Sequence, residues 1–335
     1  MYAAHFTFSD GRVTSVPVAP GQTVLEAAML IDAPIRYDCA SGECGACIAQ
    51  LTCGEAEFDA AGPSPISAAE AATGLRPTCQ TRLCGDAAFD LPYALEPQPS
   101  APARHSTRVK EVERLSQSVY RLSLERPEGF SFQSGQYVRL RPPGKSGARI
   151  YSIASAPADG SQLEFLIRHV PGGLASEWVA TAASPGDAVK IQGPLGAFAS
   201  DPRASRHVFV VGGTGLAPAL SMLRDMAPGE GEVVVCFGVT SLLDLFHVAE
   251  LQALAAAHGR AQARFAVFIG EPGPAASQGT AVSLLTASDV APGTAYYLCG
   301  PPAMVEAART TLAVLGAPPR LAGASGAEAR RGRVA

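Results

Sequence analysis

Three cysteines fall within nine residues, Cys39, Cys44 and Cys47, in the stretch CASGECGAC, spaced C-x4-C-x2-C. Thiolates this close together can form disulfides, grip a zinc ion or hold an iron–sulfur cluster. Eight cysteines in 335 residues do not make a disulfide scaffold, so the first option fits poorly. Structural zinc favours paired knuckles of two closely spaced cysteines. Here three potential ligands share one loop, and the others nearby, Cys53, Cys79 and Cys84, stand apart. A two-iron cluster suits the pattern better. It needs four thiolates and a loop that turns tightly around them. Gly42 and Gly45 permit a left-handed backbone and let N–H groups face sulfur. Ala40, Ser41 and Ala46 are small enough for the chain to close in.

Three other stretches could do chemistry. RIYS at 149–152 is preceded by GQYVRL and followed about twenty residues later by VPGGLASEW at 170–178. VGGTGLAP at 211–218 follows an apolar run and opens a helical one. It is not the G-x-G-x-x-G of dinucleotide folds, and alone it reads as a tight turn. CGPPAMV at 299–305 follows the last apolar run.

The elements that must position these residues differ along the chain. HFTFSDGRVTSVPV alternates about Asp10-Gly11 as a β-hairpin does. Thr23-x-x-Glu26 has the form of a helix capping box, and strand-like CIAQLTCGEAEF follows the cysteine loop, with Cys53 expected to be buried. The stretch 92–106, PYALEPQPSAPARHS, holds four prolines without periodicity and reads as a linker. Six short strand patterns then run from RVKEVERL to DAVKIQGP, interrupted by a helix near LASEWVATAA, as in a β-barrel. From 207 onward continuous apolar runs alternate with helical stretches such as DLFHVAELQALAAAH and AMVEAARTTLAVLG, the mark of buried parallel strands. The expected organisation is an α+β domain at 1–95, a linker at 96–106, a barrel at 107–202, an α/β domain at 203–320 and a disordered tail at 321–335.

Composition narrows the class. The chain is 47% hydrophobic and 17% charged with a formal net charge of −4, and its one basic cluster, ARRGRVA, is terminal. No nucleic-acid partner is expected. No window approaches 18 uninterrupted apolar residues and no secretory signal is visible, so no membrane association is expected and the cytoplasm is the expected location.

Together the motifs resemble known families. The cysteine spacing is that of plant-type ferredoxins, whose fourth ligand precedes Q-x-R; Cys79, in CQTR, fits that place. The R-x-Y-S, G-G-T-G and C-G-P-P-x-M motifs, in this order, resemble ferredoxin–NADP⁺ reductase-like flavoproteins. The whole chain from about 4 to 316 resembles the reductase component of bacterial aromatic-ring dioxygenases of the benzoate, toluate and anthranilate type. The resemblance implies a multi-domain fold: a β-grasp ferredoxin, an antiparallel β-barrel for FAD and a parallel-sheet α/β domain for NAD. It implies a 2Fe–2S cluster on Cys39, Cys44, Cys47 and Cys79. Arg149 would hold the FAD pyrophosphate, Tyr151 would stack on the flavin ring, and Ser152 would reach its reactive nitrogen. Arg168 and Val170 would contact the cofactor, and Gly172, Gly173 and Ser176 would offer helix-start N–H groups to phosphate. Trp178 is expected in the core. Gly212, Gly213, Thr214 and Gly215 would admit the dinucleotide, with Cys299 and Gly300 beside the nicotinamide. Tyr151, Ser152 and Cys299 are thus the expected catalytic residues. Asp244, in GVTSLLDLF without a base, favours NADH, because an acid accepts from free ribose hydroxyls.

The implied activity is NADH oxidation with electrons passed through FAD and the cluster to a terminal oxygenase. Reductases of multicomponent monooxygenases, and deoxysugar-forming reductases, share the architecture. A redox-sensing module that does not turn over is the non-enzymatic alternative. One departure from the family is that the last twenty residues contain no aromatic side chain, so no C-terminal residue is assigned to the site.

Overall fold

The computed structural model describes residues 1–317 apart from 32, 38–41, 43–44, 59–63, 65, 67, 96–102, 146–147, 197, 230 and 259–261. The chain divides into two compact units, Met1–Ala101 and Pro102–Ala324.

In the first unit, β1 (Tyr2–Thr7) and β2 (Val13–Val18) form the expected hairpin. Helix α1 (Val24–Leu30) starts with Thr23 Oγ1 accepting from the Glu26 N–H at 3.2 Å, while the Glu26 carboxylate accepts from the Thr23 N–H at 2.9 Å. This capping box satisfies donors that the first turn leaves unpaired. Strands β3 (Ile48–Cys53) and β4 (Ala56–Phe58), helix α2 (Ala68–Ala72), and strands β5 (Leu75–Pro77), β6 (Thr81–Leu83) and β7 (Ala87–Asp90) follow. The main sheet runs β2-β1-β7-β3-β5, with β1 and β7 parallel. Val24, Ala27 and Ala28 of α1 join Phe6, Phe89 and Val16 in one core. Cys53, expected to be buried, is exposed. It lies where β3 slips register against β7 and leaves the sheet.

The second unit opens with six antiparallel strands, β8 (Arg104–Arg114), β9 (Val119–Glu125), β10 (Tyr137–Arg141), β11 (Arg149–Ser152), β12 (Gln162–Arg168) and β13 (Ala188–Leu195), with helix α3 (Ser176–Thr181) before the last. Their order is β11-β10-β13-β8-β9-β12, and an Ile153–Phe165 bridge joins the two edges into a barrel. Val138, Leu140, Phe165 and Ile191 fill it, with Trp178 packed against that core. Strand β8 begins inside the stretch expected as linker, because pairing with β13 reaches back to Arg104.

Strand β14 (Arg206–Gly212), helix α4 (Leu216–Asp225), strand β15 (Glu232–Ser241), helix α5 (Val248–Ala256), strands β16 (Gln262–Ile269), β17 (Ser277–Gln278) and β18 (Thr294–Cys299), and helix α6 (Pro302–Val314) complete the unit. The sheet order β17-β16-β15-β14-β18 is parallel throughout. Buried Asp289 accepts from Arg264 at 2.6 Å and from the Thr286 N–H at 2.8 Å, tying the loop before β18 to β16. Among the described residues no helix is long and apolar enough to cross a membrane.

Candidate functional site

Two of the four expected cluster cysteines lie in the described structure, and one threonine joins their segments. The Cys47 carbonyl accepts from both the N–H and the hydroxyl of Thr78, at 3.1 and 3.0 Å. Thr78 is fully buried and immediately precedes Cys79. The end of the cysteine loop and the distant fourth cysteine are thereby held side by side. Gly42 and Gly45 adopt φ of 84° and 75°, the left-handed backbone expected of a loop closing on sulfur. Upstream, the Arg36 N–H donates to Tyr93 Oη at 2.9 Å, and the Arg36 guanidinium lies 4.3 Å from the ring centre. Tyr93 thus fastens the chain three residues before Cys39. Burial pushes its phenol up to about 12. Cys39 and Cys44 lie outside the described residues, and among those described no three ligating side chains assemble a metal site. The pinned Cys47–Cys79 segments and the left-handed glycines fit a cluster.

On the barrel, Tyr151 and Ser152 are half-buried beside β10, opposite Val138 and Tyr137, and Arg149 is exposed. Arg168 and Val170 are also exposed, at the end of β12 and just beyond it. The following loop is organised by α3. Ser176 Oγ donates to the Val170 carbonyl at 3.3 Å and accepts from the Val170 N–H at 3.2 Å. Glu177 accepts from the Gly172 N–H at 3.1 Å and pairs with His169 at 2.9 Å. The His169 and Gly172 hydrogen bonds lower the Glu177 pKa. Of the three residues expected to offer donors to phosphate, Gly172 and Ser176 thus bond within the loop, and the Gly173 N–H donates to the Val170 carbonyl at 2.9 Å. The Glu177 carboxylate lies at the start of this helix. Gly172 has φ of 71° with open space where a side chain would be, so the loop still leaves room for a ligand.

The two glycine-containing nucleotide motifs meet. Strands β14 and β18 are adjacent, with Val211 opposite Cys299, so Gly212–Gly215 and Cys299–Gly300 share the C-terminal edge of the sheet. A Cβ on Gly215 would fall on the Cys299 carbonyl, and one on Gly212 would lie 2.7 Å from Met304 Sδ. Gly213, at φ 54°, faces open space. Gly213–Gly215 also contacts β12 of the barrel, which brings the nucleotide edge to the flavin strands. Burial pushes the Cys299 thiol up to about 12, so it stays neutral.

Asp244 also has a structural partner set. Its Oδ1 accepts from the Ser118 hydroxyl and N–H at 2.7 and 3.1 Å and from the Ser116 hydroxyl at 3.3 Å. The Gln117 N–H donates to the Leu243 carbonyl at 2.9 Å. The β8–β9 hairpin is thus docked on the turn after β15, and this turn, Leu242–Asp244, is separate from α5, which starts only at Val248. A helix continuous from Asp244 was expected. Sequence reasoning missed this use of Asp244 because its serine partners lie more than a hundred residues upstream.

Comparison with known proteins follows the same division. Residues 7–84 match the 2Fe-2S iron-sulfur cluster binding domain, 106–199 the oxidoreductase FAD-binding domain and 209–310 the oxidoreductase NAD-binding domain. The chain is 34% identical over 311 residues to the toluate 1,2-dioxygenase electron transfer component of Pseudomonas putida, covering 90% of each. It is 35% identical over 303 residues to an aromatic O-demethylase reductase subunit from Amycolatopsis sp., covering 87% of this chain and 90% of the relative. The crystal structure of the Amycolatopsis cytochrome P450 reductase GcoB is similar with a TM-score of 0.66 and 30% identity, covering 95% of this chain and 96% of that one.

Proposed function

The chain belongs to the family of reductase components of bacterial aromatic-ring dioxygenases, and from that premise we propose that it carries electrons from NADH through FAD and a 2Fe–2S cluster to a terminal oxygenase. When bound, NADH supplies two electrons as a hydride, FAD takes them together and releases them singly, and the cluster carries one at a time.

The protein's own residues bind and orient. Gly213, Gly215 and Gly300 form a floor without side chains, broken only by the hydroxyl-bearing Thr214, and the neutral Cys299 thiol borders it without acting as a nucleophile. Tyr151 offers a flat face, Ser152 a hydroxyl and Arg149 an exposed cation for pyrophosphate. Cys39, Cys44, Cys47 and Cys79 are the thiolate set for the cluster. The observation that carries this reading is the meeting of the two nucleotide motifs at one strand edge that also touches the flavin barrel. The domains proposed are 1–95, 107–202 and 203–320, joined across 96–106, and NADH supply favours a cytoplasmic location.

The test is anaerobic titration of the purified full chain with NADH. Flavin and cluster absorbance should bleach together, and added oxygenase should restore both. Cys79→Ser should leave NADH-driven flavin bleaching intact and remove the cluster's reduced-state EPR signal. A colourless protein, or one that NADH does not bleach, would sink the reading. Similarity to a cytochrome P450 reductase favours a second acceptor class, a cytochrome P450. Reconstitution with a ring dioxygenase and with a P450, side by side, separates the two.

A further inference from the structure

Helix α4 starts at the nucleotide turn and ends on the flavin barrel, where Arg224 fastens it. Arg224 Nη1 donates to the Ala154 carbonyl at 3.0 Å and to Glu164 Oε2 at 2.7 Å, and Nε donates to Glu250 Oε1 at 2.7 Å. One turn earlier, the buried Ser221 hydroxyl donates to the Ser155 carbonyl at 2.7 Å. From the other side, the Ala154 N–H donates to the Glu164 carbonyl at 2.7 Å, and the Ser155 hydroxyl accepts from the Glu164 N–H at 3.1 Å. Ala154 and Ser155 directly continue the strand that carries Tyr151 and Ser152. That strand end is therefore clamped between β12 and α4.

The clamp is costly to build without a purpose. It places one guanidinium and the Glu164 carboxylate at 18% and 11% side-chain exposure, and apolar residues packed in such a place are often as stable as a buried ion pair. What an arginine adds is direction. Its planar fork can hold a carbonyl and two carboxylates at fixed angles, which a lysine cannot. The other end of α4 is equally constrained, since Gly215 is pressed against the Cys299 carbonyl. Ten residues separate the ends, about 15 Å at helical rise, so Arg224 does not reach the nucleotide turn.

We propose that Arg224 is a positioning residue: through α4 it fixes the nucleotide floor against the flavin strand, and the rate of hydride transfer depends on it. This rests on the NADH-to-flavin reading above. Misplacement of reacting groups by an ångström can lower a rate by orders of magnitude, whereas binding of the dinucleotide itself is little altered.

The experiment compares Arg224→Gln, Arg224→Lys and Ser221→Ala with the unaltered full chain. Stopped-flow flavin bleaching is followed over a range of NADH concentrations. Two readouts do not depend on turnover: visible circular dichroism of the bound flavin and amide exchange at residues 153–155. Arg224→Gln should lower the limiting bleaching rate about tenfold or more, leave the half-saturating NADH concentration within about threefold, change the flavin dichroism and speed exchange at Ala154. Arg224→Lys should restore part of the rate. Ser221→Ala keeps every charge and should show the same pattern in smaller form, so it decides the matter if Arg224→Gln fails to fold. Unaltered rates and exchange in folded variants would overturn the proposal. If NADH does not bleach even the unaltered chain, the parent reading falls instead.

Discussion

Thr78 shows how a single residue can join the two segments of the proposed cluster site. Its hydroxyl and N–H both reach the Cys47 carbonyl from a fully buried position. Thr78→Val keeps the shape and removes one hydrogen bond, which costs about 1 kcal/mol and leaves a carbonyl lone pair unsatisfied. The variant should unfold at lower denaturant and lose iron and sulfide faster on storage; equal iron retention would argue against a site-holding role. Glu250 makes a different residue-scale prediction. Burial works to raise its pKa, but the hydrogen bond with His247 and the charge of Arg224 outweigh it and hold the group at about 2 against an ordinary 4.5. A carboxyl whose folded pKa is lowered stabilises the fold above its unfolded pKa, and that contribution fades as pH falls. The second unit should therefore lose stability between about pH 4.5 and 2, and Glu250→Gln should flatten that part of its stability–pH curve.

Element by element, stability follows from what each one is tied to. The loop before β18 hangs on Asp289, whose carboxylate is fully buried between Arg264 and Arg206. Asp289→Ala removes the acid that two guanidinium groups share, leaving them the Ser288 and Leu284 carbonyls, and breaking a buried pair in this way costs about 3 kcal/mol. Chemical denaturation of the variant should show a loss of that size. At the other end of β18, Gly215→Ala drives a Cβ onto the Cys299 carbonyl. Overpacking of this kind costs about 1–3 kcal/mol. It should also slow NADH-driven bleaching, while Gly21→Ala, at a hairpin-side turn with open space and φ of 78°, costs stability without touching that rate. The turn at Leu242–Asp244 belongs to this scale too: Asp244→Ala should lower the midpoint of the second unit by freeing the β8–β9 hairpin.

For the whole molecule, charge is unevenly shared. The first 101 residues hold 4 Lys and Arg against 12 Asp and Glu, while the chain as a whole has 26 against 30. The first unit alone is strongly acidic and the remainder is net basic. Two units of different size and charge, joined through a proline-rich stretch, should unfold separately. Calorimetry should resolve two transitions, the smaller one sensitive to iron chelation and the larger to added FAD. Limited proteolysis should cut between Leu95 and Arg104 and release a brown fragment and a yellow one. A single transition would contradict independent units.

Local pattern was enough to determine the order of parts. The C-x4-C-x2-C spacing, the capping box at Thr23, the six barrel strands and the run of buried parallel strands are all encoded by residues close together in the chain, where turn chemistry and side-chain period act directly. The tertiary structure alone decided which polar groups pair with which. Asp244 meets Ser118, Gly172 meets Glu177, Thr78 meets Cys47, and Arg224 meets Ala154. Except for the Gly172 contact, these partners lie tens of residues or more apart. No periodicity records such pairs, because a hydrogen bond depends on where two atoms end up, and packing settles that only once the chain has folded.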